Sequence, residues 1–200
     1  MPGPLKVLAA AALLLSLACE PRAAAPVYGP WEEGLTLAFE DPSQPQPQRM
    51  SDRLQLRVAH SNQGPDKTLL VQLDLTSIRG GLSMLARFQG GGVALVDPEG
   101  RVLSQSLPAG FPSTATWTDR GTEFRVLGRA GWTGAALLPA TADPVGVWVE
   151  ARTPQRARRR SLYLPNLGEV ESQEERDGAW VTVNRLVARG FTDLPAMKRP

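Results

Sequence analysis

Side chains suited to nucleophilic or metal chemistry are scarce in this chain, which has one cysteine, Cys19, and one histidine, His60. Zinc sites draw mainly on these two residue types, and a Ser–His triad would need His60 as its base. His60 continues the apolar face of the alternating run 54–58, which predicts a histidine at the edge of a core. We therefore expect no metal or other cofactor and no catalytic residue.

Carboxylates are the remaining candidates for acid–base chemistry. Two adjacent pairs occur, Glu32/Glu33 and Glu174/Glu175. Neighbouring residues on a strand point to opposite faces, so neither pair is well arranged to act on one substrate. The segment "DPEG" at 97–100 has the composition of a turn rather than of a calcium loop. A hydrolase would have to combine carboxylates that are distant in the sequence.

Cys19 follows an apolar run that is too short to cross a membrane. Lys6 precedes the uncharged run "VLAAAALLLSLA" at 7–18. As a helix this run would span about 18 Å, at about 1.5 Å per residue, whereas a transmembrane helix needs about 20 residues. A basic start, a short apolar middle and small residues at the end are typical of a secretory signal peptide. We assign residues 1–18 to this signal.

The sequence "SLAC", residues 16–19, resembles the lipobox of bacterial lipoproteins. Ala18 fits the small residue before the cleavage site, whereas Ser16 departs from the common leucine. The resemblance implies that the Cys19 thiol takes a diacylglyceryl group and becomes the mature N-terminus. Residues 19–30 would then be the lipidated cysteine and a short tether. Glu20, in place of aspartate, favours an outer-membrane location facing the periplasm or the cell surface.

An ordinary signal peptidase is the alternative, because Ser16 and Ala18 are both small. Cleavage by that enzyme would leave an unpaired, exposed thiol in an oxidising compartment. Lipidation removes this difficulty and provides a membrane anchor, since each buried methylene contributes about 0.8 kcal/mol.

The composition excludes some classes of partner. The chain has 22 basic and 20 acidic residues and a formal net charge of +2, which is not the balance of a nucleic-acid-binding protein. With a single cysteine, no disulfide can form within the chain, so its stability depends on packing.

Period-two patterns predict an all-β protein. Residues 54–75 and 93–106 each have two alternating runs separated by turn formers, which predicts two antiparallel hairpins. The run 179–188 fits a strand or a helical face. About eight or nine short strands without an intervening amphipathic helix predict one antiparallel β-sandwich domain, immunoglobulin-like or jelly-roll, over residues 31–200.

Two tryptophans are candidate ligand contacts. Trp117 in "TWTDRG" and Trp132 in "AGWTGA" lie in loop-like stretches. Exposed indoles in loops can stack on sugar rings or fill a pocket of a partner protein. The alternative is that both rings cap the ends of the core.

A basic segment at 152–160 precedes an acidic one at 169–177. The two segments could be solvated loops that neutralise each other. Alternatively, the arginines could contact anionic headgroups within reach of the tether. This second hypothesis makes candidate surface contacts of the following residues: Arg152, Arg156, Arg158, Arg159 and Arg160.

Three functional hypotheses follow. The first is a lipid-anchored cell-envelope protein whose β-sandwich is a non-catalytic binding or scaffolding module, held to the membrane through Cys19. The second is a carbohydrate-binding surface module that uses Trp117 and Trp132. The third is a hydrolase built from scattered carboxylates. The partner would be an envelope protein or a glycan.

Overall fold

The computed structural model describes residues 26–44, 53–77, 79–138 and 144–191. The predicted signal peptide at 1–18 and Cys19 lie outside these residues. No helix in the described part of the chain is long and apolar enough to cross a membrane.

The described residues form twelve β-strands and one short 3₁₀ helix. The first six strands are β1 Thr36–Glu40, β2 Leu54–Gln63, β3 Leu69–Ser77, β4 Gly80–Gln89, β5 Gly92–Val96 and β6 Val102–Leu107. The others are β7 Thr116–Asp119, β8 Thr122–Gly131, β9 Val145–Arg152, β10 Arg159–Leu164, β11 Gly168–Arg176 and β12 Ala179–Gly190. The 3₁₀ helix, Ala135–Leu137, lies between β8 and β9.

All twelve strands belong to one antiparallel sheet with the order β6-β5-β4-β3-β2-β1-β12-β11-β10-β9-β8-β7. β1 is central and pairs with both β2 and β12. The chain runs outward from β1 to the edge strand β6, continues at the other edge with β7, and returns inward to β12. The Ser104 hydroxyl on β6 lies 2.9 Å from the Asp119 carboxylate on β7, so the two edges meet. The sheet is therefore nearly closed and barrel-like.

The expectation of an all-β antiparallel protein is confirmed, whereas a two-sheet sandwich of eight or nine strands is not what the structure contains. Both hairpins form, with Leu56 opposite Leu75 and Leu95 opposite Ser104. The run at 179–188 is strand, within β12. The sandwich prediction was not confirmed because the alternation of apolar residues shows only which face of a strand each residue occupies. It does not show which other strand lies beside that strand in the sheet.

Apolar side chains form two clusters. The larger contains the following buried residues: Leu35, Leu37, Phe39, Val58, Val71, Leu73, Ala86, Phe88, Trp132, Leu162, Leu164, Leu167, Val170 and Leu186. The smaller contains Tyr28, Leu107, Phe111, Val147 and Val149, with Trp117 and Phe124 packed against it. Residues of most strands contribute to one cluster or the other, so the sheet is held by packing between distant parts of the chain.

The two ends of the sheet differ, because antiparallel strands place successive turns at alternate ends. At one end, here the tether end, lie the N-terminal segment 26–31, the loop 108–115 and the turn 165–167. The opposite end, here the arginine end, has the turns 97–101, 120–121, 153–158 and 177–178.

The N-terminal segment is fixed to the tether end. The Asn166 backbone amide donates to the Val27 carbonyl over 2.7 Å, and the Trp31 indole N–H donates to the Asn166 side-chain oxygen over 3.1 Å. Tyr28 is buried and meets Phe111 edge-on, with ring centroids 4.7 Å apart. Val27 and Tyr28, within the predicted tether 19–30, therefore contact the sheet.

Candidate functional site

A cleft of about 320 Å³ lies on strands β7, β8 and β9, near the arginine end. Its lining combines hydroxyl, carboxylate, guanidinium and aromatic groups. The lining residues are Thr116, Trp117, Thr118, Glu123, Phe124, Arg125, Glu150 and Arg152.

The register of the three strands places the polar side chains of the cleft on one face. Thr116 lies opposite Arg125, and Thr118 lies opposite Glu123. Arg125 in turn lies opposite Glu150 across β8 and β9. Side chains that are directly opposite in an antiparallel pair share a face. The cleft therefore presents hydroxyl and charged groups side by side.

Trp117 and Phe124 alternate with these polar residues, so their rings belong to the other face. The two rings are stacked, with centroids 4.9 Å apart and planes at 5°. Trp117 also meets Phe111 edge-on at 6.4 Å. Trp117 lies in strand β7 rather than in a loop, and one face of its indole is covered by Phe124, which corrects the predicted setting of this residue.

Glu150 is the most buried charged group of the cleft, with 4% of its surface exposed. Its carboxylate accepts a hydrogen bond from Arg152 Nε over 2.7 Å. Arg158 and Arg125 lie further away, with nitrogen–oxygen distances of 3.7 and 3.9 Å. A buried carboxylate is costly unless paired, and these guanidinium groups compensate its charge.

The predicted basic and acidic loops are in part the paired strands β10 and β11. Arg158 donates two hydrogen bonds of 2.5 Å to the Glu175 carboxylate, and these bonds lower the pKa of Glu175 below its ordinary value. Arg159 donates to Glu169 over 2.9 Å. The residues form an ion-pair ladder across two strands.

Arg160 packs between two tryptophans. Its guanidinium carbon lies 5.0 Å from the ring centroid of Trp148 and 4.5 Å from that of Trp180. Arg160 Nε also donates to the Gln173 side chain over 2.7 Å. Arg156, another of the five arginines predicted to be surface contacts, lies exposed in the turn 153–158.

Trp132 is buried, in agreement with the alternative in which its ring belongs to the core. It follows β8 directly and has 4% of its surface exposed, so its ring is part of the larger apolar cluster. Gly134 lets the chain pass close to the ring, because a Cβ at this position would lie 2.3 Å from a Trp132 ring atom.

His60 is also placed differently from the expectation of a core edge. Its side chain is 77% exposed, with Nδ1 3.9 Å from a Glu33 carboxylate oxygen. A register shift between Val58 and His60 on β2 interrupts the alternation that the prediction assumed. Among the described residues, no group of three or more His, Cys, Asp or Glu residues could hold a metal ion.

Sequence reasoning missed several cleft residues: Thr116, Thr118, Glu123, Arg125 and Glu150. A signal was present, since Glu123 and Arg125 alternate with Phe124 and Val126. Glu150 gave no such signal, because it lies within the valine-rich run of β9. Only the register between strands β8 and β9 brings these residues together.

The cleft brings two carboxylates, Glu123 and Glu150, onto one face, as a hydrolase would require. Their positions are diagonal across β8 and β9, since Glu123 lies opposite Arg152 and Arg125 lies opposite Glu150. However, Glu150 is already hydrogen-bonded to Arg152. Arg125 and Arg158 also lie close to the Glu150 carboxylate, at 3.9 and 3.7 Å, so this group belongs to a cluster of ion pairs.

No protein-family model matches the chain, and no curated protein matches it. A solved structure from Bacteroides fragilis NCTC 9343, provisionally named an exported protein with a YmcC-like fold, is 14% identical, with a TM-score of 0.45. The match covers 82% of this chain and 99% of that one. Another, from Parabacteroides distasonis ATCC 8503 and provisionally named a lipoprotein, is 12% identical, with a TM-score of 0.45 and coverage of 83% and 99%. Similarities of this extent carry no conclusion about the present chain.

Proposed function

We propose that the chain is a lipid-anchored cell-envelope lipoprotein whose barrel-like domain binds a ligand without catalysing a reaction. The observation that carries the proposal is the "SLAC" sequence at residues 16–19, which ends a short apolar run. The fixed N-terminal segment 26–31 supports it, since a tether at that end leaves the cleft uncovered.

Acylation is tested by growing cells that express the full chain with radiolabelled palmitate. The native protein should incorporate label, and Cys19→Ser should incorporate none and lose its mature, membrane-bound form. Intact-mass measurement of the purified membrane form should show the added acyl groups. Label in the serine variant, or equal membrane retention of both proteins, would refute the anchor.

Ser16→Leu separates the two signal-processing routes. Leucine is the common residue of the lipobox at this position, so lipoprotein processing should continue at the native rate or faster. An ordinary signal peptidase needs a small residue there, and its cleavage should fall sharply. Accumulation of the uncut Ser16→Leu precursor would contradict the lipoprotein proposal.

A glycan is the second candidate ligand, supported by the hydroxyl and charged groups that line the cleft beside Trp117. Pull-down on peptidoglycan or immobilised glycans should give a signal that falls in Arg125→Gln and Thr118→Val. Leu127→Ala is the matched control, because Leu127 is exposed two positions beyond Arg125 on β8. Trp117→Ala tests the predicted ring contact separately, because the ring lies on the other face of β7 and packs against Phe124; an unchanged signal in this folded variant would remove Trp117 as a ligand contact.

Two other outcomes of the pull-down would change the assignment of the ligand or of the activity. Equal binding by the native protein and by Arg125→Gln would remove the cleft from the glycan hypothesis. Release of a cleaved product from the bound glycan would favour the hydrolase, and Glu123→Gln should then abolish that release.

A further inference from the structure

We propose that the arginine end of the domain faces away from the membrane that holds the lipid anchor. Its cleft and its exposed arginines would then serve an anionic partner that approaches from the aqueous side, rather than the headgroups of the anchoring bilayer. This inference depends on the proposed acylation of Cys19.

The N-terminal segment is fixed at the tether end by the hydrogen bond from Asn166 to Val27. The last strand also ends there, because Gly190 pairs with Thr36 at the start of β1. The turn 153–158 and the cleft lie at or near the opposite end of β9. The point where the tether leaves the domain and the candidate ligand surface are thus separated by the length of a strand.

Strand β9, Val145–Arg152, has 8 residues, and the seven steps from its first to its last Cα atom extend over roughly 24 Å at about 3.4 Å each. The seven peptide units from Cys19 to Pro26 can reach at most about 25 Å. Headgroup contact by the arginines would therefore require a tether fully extended alongside the sheet, whereas contact at the tether end requires no extension.

Arg158, Arg159 and Arg160 are engaged within the chain, the first two in ion pairs and the third between tryptophans. Arg120 and Arg156 lie exposed in the two turns beside the cleft. Among the described residues, neither has a carboxylate within ion-pairing distance.

The two turns lie next to each other at the arginine end. The Thr122 and Thr153 hydroxyl oxygens are 2.9 Å apart, so the 120–121 turn borders the 153–158 turn. Arg152, at the edge of the cleft, has a side chain that is 51% exposed. A molecule with carboxylate or phosphate groups could contact these guanidinium groups from outside the sheet.

The test measures the depth of one fluorescent label at each end of the acylated protein in vesicles with 30% anionic lipid. Ser113→Cys lies in the loop 108–115 at the tether end, and Ala157→Cys lies in the turn 153–158; both positions are exposed. Since Cys19 is the only native cysteine and its thiol would be acylated, each introduced thiol can be labelled selectively. The quencher is a headgroup-attached spin label.

We expect several-fold stronger quenching at position 113 than at position 157, at low and at physiological salt. Equal quenching, or stronger quenching at 157 that salt reverses, would overturn the inference and favour headgroup contact. No quenching at either position in protein that carries palmitate would also overturn it. Protein without palmitate that fails to bind vesicles would instead refute the anchor itself, so the two failures are distinguishable.

Discussion

The Ser104 hydroxyl on β6 donates a 2.9 Å hydrogen bond to the Asp119 carboxylate on β7 and thereby joins the two edge strands of the sheet. Edge strands expose unpaired backbone groups that can recruit other chains. Here the two edges are consecutive in the chain and face each other, so a side-chain hydrogen bond takes the place of a strand ladder at this seam.

Ser104→Ala should loosen the seam. A hydrogen bond to a charged group contributes about 1.5–3 kcal/mol, and we expect a loss near the lower bound, about 1.5 kcal/mol, because Asp119 can rebind water. Hydrogen exchange measured by mass spectrometry should accelerate in β6 and β7 and remain unchanged in β1 and β12.

Ser83→Ala is the matched control for the seam. Ser83 makes a similar hydroxyl–carboxylate hydrogen bond, of 2.6 Å to Asp74, but between the fully paired strands β3 and β4. Its loss should leave exchange in β6 and β7 at the native rate. The same acceleration in both variants would mean that the seam has no special role.

Glu150→Gln should destabilise the β8–β9 region. The substitution leaves three guanidinium groups around a buried amide. Fully buried ion pairs cost 3–5 kcal/mol when one partner is removed. The arginine partners here are 40–58% exposed, so we expect a loss of about 1–2 kcal/mol in urea unfolding.

Glu123→Gln provides the comparison for Glu150→Gln. Glu123 lines the same cleft but is exposed, and exposed substitutions usually change stability by less than about 0.5 kcal/mol. Equal losses in the two variants would show that the burial of Glu150 does not matter to the fold.

Much of the local structure could be predicted from the sequence, because the required signal is itself local. The alternation of Leu54, Leu56 and Val58 defines one face of β2, and Gly100, with φ of +82°, closes the turn that "DPEG" predicts. In contrast, the pairing of β1 with β12 joins residues such as Thr36 and Gly190. Nothing in either strand identifies the other, so one closed sheet and two stacked sheets fit the same pattern.

Two strands, β11 and β7, were not predicted, the first because of its composition and the second because of its length. On β11, Val170 and Ser172 are buried while the intervening positions are glutamates, so the strand has the composition of a solvated loop. Its glutamates pair in part with adjacent strands, as Glu169 does with Arg159, and in part within β11, where Gln173 donates to Glu171. Strand β7 has 4 residues, too few for a periodicity to be distinguished. The cleft was missed for another reason, because it depends on the register between β8 and β9.

Acid should weaken the contribution of the Arg158–Glu175 pair. The hydrogen bonds from Arg158 lower the pKa of Glu175 from its ordinary value of 4.5. The contribution of the pair to the free energy of unfolding is therefore complete above pH 4.5 and is lost as the pH falls through the lower, folded-state pKa.

Glu175→Gln lacks this titration. The difference in unfolding free energy between native protein and variant should be constant from pH 7 to pH 5 and shrink below pH 4.5. A difference that grows in acid would contradict this assignment.

Arg160→Lys should not behave as a conservative substitution. The planar guanidinium lies over two indoles, those of Trp148 and Trp180, at 5.0 and 4.5 Å, and also donates to Gln173. A lysine keeps the charge but lacks the planar surface that stacks on both rings. Cation–π contacts contribute about 0.5–1 kcal/mol at exposed sites, so we expect a loss of about 1 kcal/mol in urea unfolding.

Arg156→Lys, in the exposed turn 153–158, is the control and should leave stability unchanged. If both lysine variants match the native protein, the ring contacts add nothing beyond charge. If Arg160→Lys alone is destabilised, the same loss should disappear in a Trp148→Leu, Trp180→Leu background, because the arginine then has no indole on which to stack.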